Sequence, residues 1–221
     1  MTTTRRQFVQ ALGSAAALGA LHPLSAFAQA LDQVKTMYGF PAGSAGDSVA
    51  RRVAEKLGGT AYSKNPGFVE NKPGAGGRIA VETLKSSPAD GSVLTLAPVS
   101  ALAVYPHIYP KLTYKPEDVQ PVSIGAIMHR GLAVGPAVPA EVKTLADFLK
   151  WAKANPDKAM YGTPGAGSMP HLLGALLGIR SGVELKQVPY RGTVPSITDL
   201  VGGQIASAVN PSGDYLQYMK T

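Results

Sequence analysis

Phe40-Pro41-Ala42-Gly43-Ser44-Ala45-Gly46-Asp47 is the stretch on which the fold turns. A short strand pattern over 36–40 runs into it. A helical pattern over 47–58 leaves it, with Val49, Ala50, Val53, Ala54 and Leu57 on one face. Ser44 and Asp47 have the spacing of a capping box. The glycines let backbone N–H groups turn inward, and the helix start adds about half a positive charge. A strand feeding a helix through such a loop is the repeating unit of α/β layers.

The unit recurs along the chain. Strand patterns at 68–71 and 93–97 flank a helix over 77–87, with the turn Pro88-Ala89-Asp90-Gly91 before the second strand. A proline-rich interval, 105–121, reads as loop and as the boundary between two lobes. An extended apolar stretch, 122–134, is interrupted at His129-Arg130. Thr144-Leu145-Ala146-Asp147 is a second capping box, opening a helix with Leu145, Phe148, Leu149 and Ala152 as its stripe and Pro156 as its stop. Strands at 159–162, 185–189 and 205–209 then alternate with helices over 168–179 and 194–201. Two α/β lobes with mainly parallel sheets follow, over residues 29–125 and 126–221. Residues 215–221 read as the opening of a helix that stops without a cap.

Composition removes several classes of function. The 221 residues contain no Cys, so disulfides, thiol nucleophiles and Cys-ligated zinc are out. The net charge of +7 suits an anionic partner. However, the basic residues are scattered and there is one Trp, a poor basis for binding nucleic acid. Residues 1–28 read as an export signal: Arg5-Arg6-Gln7-Phe8, a mildly apolar run from Val9 to Leu21, and Ala26-Phe27-Ala28 before the cut. The Arg pair and the low hydrophobicity resemble the bacterial twin-arginine signal, which implies a periplasmic protein.

Two further loops resemble the first. Tyr161-Gly162-Thr163-Pro164-Gly165-Ala166-Gly167-Ser168 opens a helix in the second lobe, and Pro73-Gly74-Ala75-Gly76-Gly77 opens one in the first. One such loop is ordinary helix-start chemistry. A pair, one in each lobe, points to a cleft that grips an anion with main-chain amides and needs no lysine. No Gly-rich loop is followed by Lys-Ser/Thr, as a P-loop requires, and Ile79 breaks a dinucleotide fingerprint. Ala42-Gly43-Ser44-Ala45-Gly46 has the spacing of a hydrolase nucleophile elbow, so a secreted serine hydrolase using Ser44 is the enzymatic alternative. That elbow falls on the first strand, without the strands that normally precede it. His107, His129 and His171 lie far apart and offer no metal-ligand spacing. His171 reads as a packing or hydrogen-bonding residue of its loop, and Arg191 as a partner for a carboxylate or, equally, a solvated surface or salt-bridge residue.

Several motifs together resemble one family. Phe40-Pro41-Ala42-Gly43 with Asp47, Val69-Glu70-Asn71-Lys72-Pro73-Gly74-Ala75-Gly76-Gly77, Tyr109-Pro110-Lys111-Leu112, Tyr161-Gly162-Thr163-Pro164-Gly165, Val188-Pro189-Tyr190-Arg191-Gly192 and Leu200-Val201-Gly202-Gly203-Gln204 occur in the order seen in Bug receptors. These are the substrate-binding proteins of bacterial tripartite tricarboxylate transporters. The resemblance implies a two-lobed periplasmic binding protein of type II topology that closes on a small carboxylate. It implies a monomer without cofactor or catalysis that hands its solute to membrane permease subunits; a solute sensor for a signalling partner is the non-transport alternative. By carry-over, Ala42, Gly43 and Ser44, with Val99, Ser100 and Ala101, hold one end of the ligand. Thr163, Gly165, Gly167 and Ser168 hold the other.

The chain departs from the family at three places. Ala97-Pro98-Val99-Ser100-Ala101 is poorer in hydroxyls than the usual loop, and Ala206 and Asn210 stand where an acidic residue is usual. These changes point towards a less polar or aromatic acid. The family segment that returns to complete the first lobe is not found, so that lobe is expected to be incomplete, with an unpaired sheet edge.

Overall fold

β1, Lys35–Tyr38, is the middle strand of a three-stranded parallel sheet, between β2, Phe68–Asn71, and β3, Val93–Leu96. The structure, a computed structural model, describes residues 30–219, so the expected export signal over 1–28 lies outside the described residues. The helix expected after β1 forms as α1, Ala45–Lys56. Its buried face is made of small residues, Gly46, Ala50 and Ala54, together with Asp47. Val53, expected on that face, is exposed. Alanines bring the helix backbone close to the sheet, and Val53 falls off the narrow contact that results.

α2, Arg78–Lys85, joins β2 to β3 and buries Ala80 and Val81. Before it, Gly74, Ala75, Gly76 and Gly77 all have positive φ. Three are glycines, which carry no penalty there; Ala75 does. A methyl group on Gly39 would come within 2.5 Å of the Gly77 Cα, so the exit of β1 and the start of α2 touch backbone to backbone.

The interval 105–121, expected to be loop, holds more structure than its prolines suggest. It contains the single-turn helix α4 (Tyr105–Ile108) and a 3₁₀ turn over Pro116–Asp118, directly after another single turn, α3 (Ser100–Ala103). Tyr105 and Tyr114 are fully buried with Val81 and Ala101, and their hydroxyls donate to the carbonyls of Gly76 (2.9 Å) and Ala101 (2.7 Å). Burial lifts both phenols above their ordinary pKa. Residues 121–129 carry no regular structure, and Val122, Ile124 and Ile127 are exposed.

The second sheet has the order β4-β7-β5-β6. β4 (Arg130–Val134) enters antiparallel to β7 (Ser207–Pro211), while β5 (Met160–Thr163) lies parallel to β7 and to β6 (Lys186–Pro189). α5 (Leu145–Ala154) starts at the expected Thr144 capping box, both halves of which form. Its Phe148 and Ala152 join Val138, Ala159, Val183 and Ala206 in the core of this lobe, whereas Leu145 is exposed. α6 (Met169–Ser181) follows β5, and α7 (Thr193–Val201) follows β6. Over 215–219 the chain forms a 3₁₀ turn, Leu216–Tyr218, and not the opening of an α-helix.

Among the mutually parallel strands of each sheet, the first in chain order lies between the second and third, β2-β1-β3 and β6-β5-β7. That shared order, with an antiparallel strand added beside β7, is the type II arrangement implied by the resemblance. Both sheets belong to a single compact unit, Leu31–Thr221.

Candidate functional site

The C-terminal ends of the parallel strands carry the glycine loops, and an open α/β sheet binds its ligand outside those ends. In the first lobe, Ser44 caps α1: its Oγ accepts the Asp47 N–H (3.3 Å) and lies 3.2 Å from the Tyr38 hydroxyl. Asp47 does not complete a capping box on Ser44. Its Oδ2 instead accepts the Gly43 N–H (3.1 Å), one residue further back. The same carboxylate holds Arg51 Nε (2.9 Å) and Asn71 Nδ2 (2.8 Å), and Asn71 also donates to the Phe40 carbonyl (3.0 Å). Burial pushes the Asp47 carboxyl up, but the hydrogen bonds from Arg51, Asn71 and the Gly43 amide outweigh it and hold it below the usual carboxylate range.

Of the three expected donors here, Gly43 is therefore spent within the loop. The Ser44 hydroxyl is buried on Tyr38 Oη, the Pro41 carbonyl and the Asp47 amide, none of which is a histidine that would activate it. Among the described residues, the Ala42 and Ser44 amides make no hydrogen bond. In the neighbouring loop, Val99 is 65% exposed, whereas Ser100 and Ala101 are buried. The Ala101 N–H donates to the Pro98 carbonyl (2.9 Å), and Ala101 packs in the core of the lobe.

In the second lobe, Ser168 caps α6, accepting the His171 N–H (3.4 Å) and donating to the Gly165 carbonyl (2.7 Å). The Gly167 N–H donates to His171 Nδ1 (3.0 Å), as expected of a histidine that organises its loop. Burial holds the His171 pKa below its ordinary value, which keeps that acceptor available. Thr163 is fully buried; its Oγ1 takes a hydrogen bond from Gln187 Nε2 (2.7 Å).

The loops of the two sheets meet. A methyl group on Gly165 would come within 3.0 Å of the Gly76 Cα, and one on Gly192 within 2.4 Å of Pro41 Cδ. The Tyr109 hydroxyl donates to the Ala166 carbonyl (2.8 Å), and the Arg78 guanidinium lies over the Tyr109 ring, 3.8 Å from its centroid. The Gly192 N–H donates to the Pro164 carbonyl (3.1 Å). Thus the loop that begins at Pro41 meets the 163–168 loop through Gly192, and the 74–77 loop meets it at Gly165. A last contact, given by no sequence spacing, closes the ring: the Ala45 N–H at the start of α1 donates to Asp214 Oδ1 (2.5 Å). Among the described residues no group of three His, Asp or Glu side chains could hold a metal ion, and no helix is long and apolar enough to cross a membrane.

Known proteins share this architecture. BugT of Bordetella pertussis is 31% identical over 208 residues, covering 93% of this chain and 63% of BugT. Among solved structures, MatC of Rhodopseudomonas palustris with bound malate superposes with a TM-score of 0.70 at 28% identity, over 80% of this chain and 59% of MatC. Rpa4515 of R. palustris with adipate gives 0.73 at 26% identity, over 84% of this chain and 61% of that one. The match spans 46–63% of the length of the curated relatives that align over about three quarters or more of this chain. Residues 49–221 match the model of the tripartite tricarboxylate transporter family receptor. On that match and on the architecture, the chain belongs to the tripartite tricarboxylate transporter receptor family.

Proposed function

We propose that the protein is a periplasmic receptor that captures a small carboxylate between its two lobes, residues 29–125 and 126–221, and passes it to membrane permease subunits. It acts as a monomer and by binding, without chemistry on the solute. The observation that carries this reading is the meeting of the two glycine loops, Gly76 against Gly165 and Pro41 against Gly192, at the ends of both parallel sheets. Of the solved structures that the chain resembles, MatC holds malate and Rpa4515 holds adipate.

The first-lobe end of the site is built from Ala42, Gly43 and Ser44, with Val99, Ser100 and Ala101 behind them. The Ala42 and Ser44 amides face the solute, while Gly43 and Ser44 Oγ keep the loop in shape. Thr163, Gly165, Gly167 and Ser168 form the second-lobe end in the same division of labour. Amide–carboxylate hydrogen bonds in such a site contribute roughly 1.5–3 kcal/mol each. Calorimetric titration with malate, adipate and related acids tests the reading: saturable one-to-one binding and a higher melting temperature are expected. Absence of both across the panel would overturn it.

A further inference from the structure

Asp214 is buried, 7% exposed, at the turn after β7, and no basic side chain pairs with it among the described residues. A carboxylate taken out of water without a cation is costly, and proteins keep one chiefly where it has a task. Oδ1 accepts the Ala45 N–H, the one hydrogen bond of good geometry that this carboxylate makes among the described residues. Burial raises the Asp214 pKa more than the Ala45 amide and the neighbouring Thr193 hydroxyl lower it.

Two polar atoms at the same end of the second sheet are unsatisfied among the described residues. Asn210 Oδ1, on β7, is fully buried and has no partner, although Asn210 Nδ2 donates to Ser196 Oγ (3.2 Å). Thr193 Oγ1, at the start of α7, is buried and lacks a hydrogen bond of good geometry. Two of these three groups, the Asp214 carboxylate and the Asn210 carbonyl, can only accept. The Asn210 carbonyl lacks a donor and Asp214 has an amide but no cation, and a second carboxylate could supply neither.

We propose that Asp214 determines the specificity of the cleft by receiving the ammonium group of a solute whose other end is a carboxylate. The carboxylate meets the unpaired amides of the loops, and the N–H donors meet Asp214 and Asn210. The start of α1, which would otherwise attract a second carboxylate, is already neutralised by Asp214. The solute class is thus an amino acid in which one carboxylate of a dicarboxylate is replaced by an amine. This inference rests on the receptor reading above.

Matched pairs of equal chain length test it: 5-aminopentanoate against adipate, and 4-aminobutyrate against glutarate, titrated calorimetrically into the wild type and Asp214→Asn. Asparagine keeps an acceptor for the Ala45 amide and removes the charge. The wild type is expected to favour the amine of each pair by about tenfold or more, and D214N to shift that ratio towards the diacid by about tenfold or more. Circular dichroism of unliganded D214N checks its fold; if it does not fold, the wild-type preference within each pair decides. A wild type that prefers the diacid, or a ratio unmoved by D214N, overturns the role of Asp214 and leaves the receptor reading standing. No binding of any of the four, nor of malate, overturns both.

Discussion

The Tyr38 hydroxyl lies 2.0 Å from where a methyl group on Gly46 would stand. The second lobe repeats this relationship, with the Tyr161 ring 2.1 Å from the corresponding point on Gly174. In each lobe a buried tyrosine of the first parallel strand, β1 or β5, lies across a glycine in the helix that follows, and its hydroxyl reaches the helix start: Ser44 Oγ in one case, the His171 carbonyl (3.2 Å) in the other. The two residues thus set the distance from strand to helix and, with it, the position of each glycine loop. Burial pushes the Tyr38 phenol up to about 12, so it remains a neutral hydroxyl at any physiological pH.

Gly46→Ala should therefore destabilise the protein by about 1–3 kcal/mol through overpacking, because the clash is with a rigid ring. Urea titration checks this. Adding Tyr38→Phe, which removes the atom nearest the new methyl group, should recover part of the loss.

Asp47→Ala should release the Gly43 amide, Asn71 and Arg51 together. Arg51 is half-exposed, so its share is screened, and most of the expected loss of about 1–3 kcal/mol comes from the Gly43 amide and Asn71 hydrogen bonds to the buried carboxylate. Since the folded-state pKa of Asp47 is depressed, its stabilisation is present above the ordinary carboxylate range and is lost as pH falls through the folded value. Asp214, with a raised pKa, acts in the opposite sense: its buried charge is relieved as pH falls from the raised value. Melting temperature measured against pH should accordingly fall less steeply on the acid side for Asp47→Asn, and should lose its partial compensation for Asp214→Asn.

His171 supplies a third pH term. Its pKa is lowered by burial, so the unfolded chain takes up a proton first as pH falls below about 6.5. Stability should drop over that window, and protonation of Nδ1 would remove the acceptor of the Gly167 amide. In His171→Phe the drop over this window should be absent in calorimetric melting curves.

Much of this architecture can be read locally. The caps at Ser44, Thr144 and Ser168 and the strand at 68–71 stand where spacing and alternation place them. Local reading fails where a distant partner decides. Ala101 sits in a loop with the look of a ligand contact, yet Tyr114 draws it into the core. Asp47 has a capping-box position, but Asn71 on β2 and Arg51 swing its carboxylate to Gly43. Val53 satisfies a helical stripe that the close alanine packing leaves outside. Asp214 is 169 residues from Ala45, and a Gly-Asp pair after a strand gives no hint beyond a turn.

A receptor of this kind requires one solute to touch both lobes at once. Titrating adipate or 5-aminopentanoate into ¹⁵N-labelled protein and following the amide resonances tests this directly. The Ala42 and Ser44 signals should move together with those of Gly165 and Ala166, on one binding curve. Shifts confined to a single lobe, or centred on the groove of about 260 Å³ between Gly135, Leu200 and Tyr215, would contradict it.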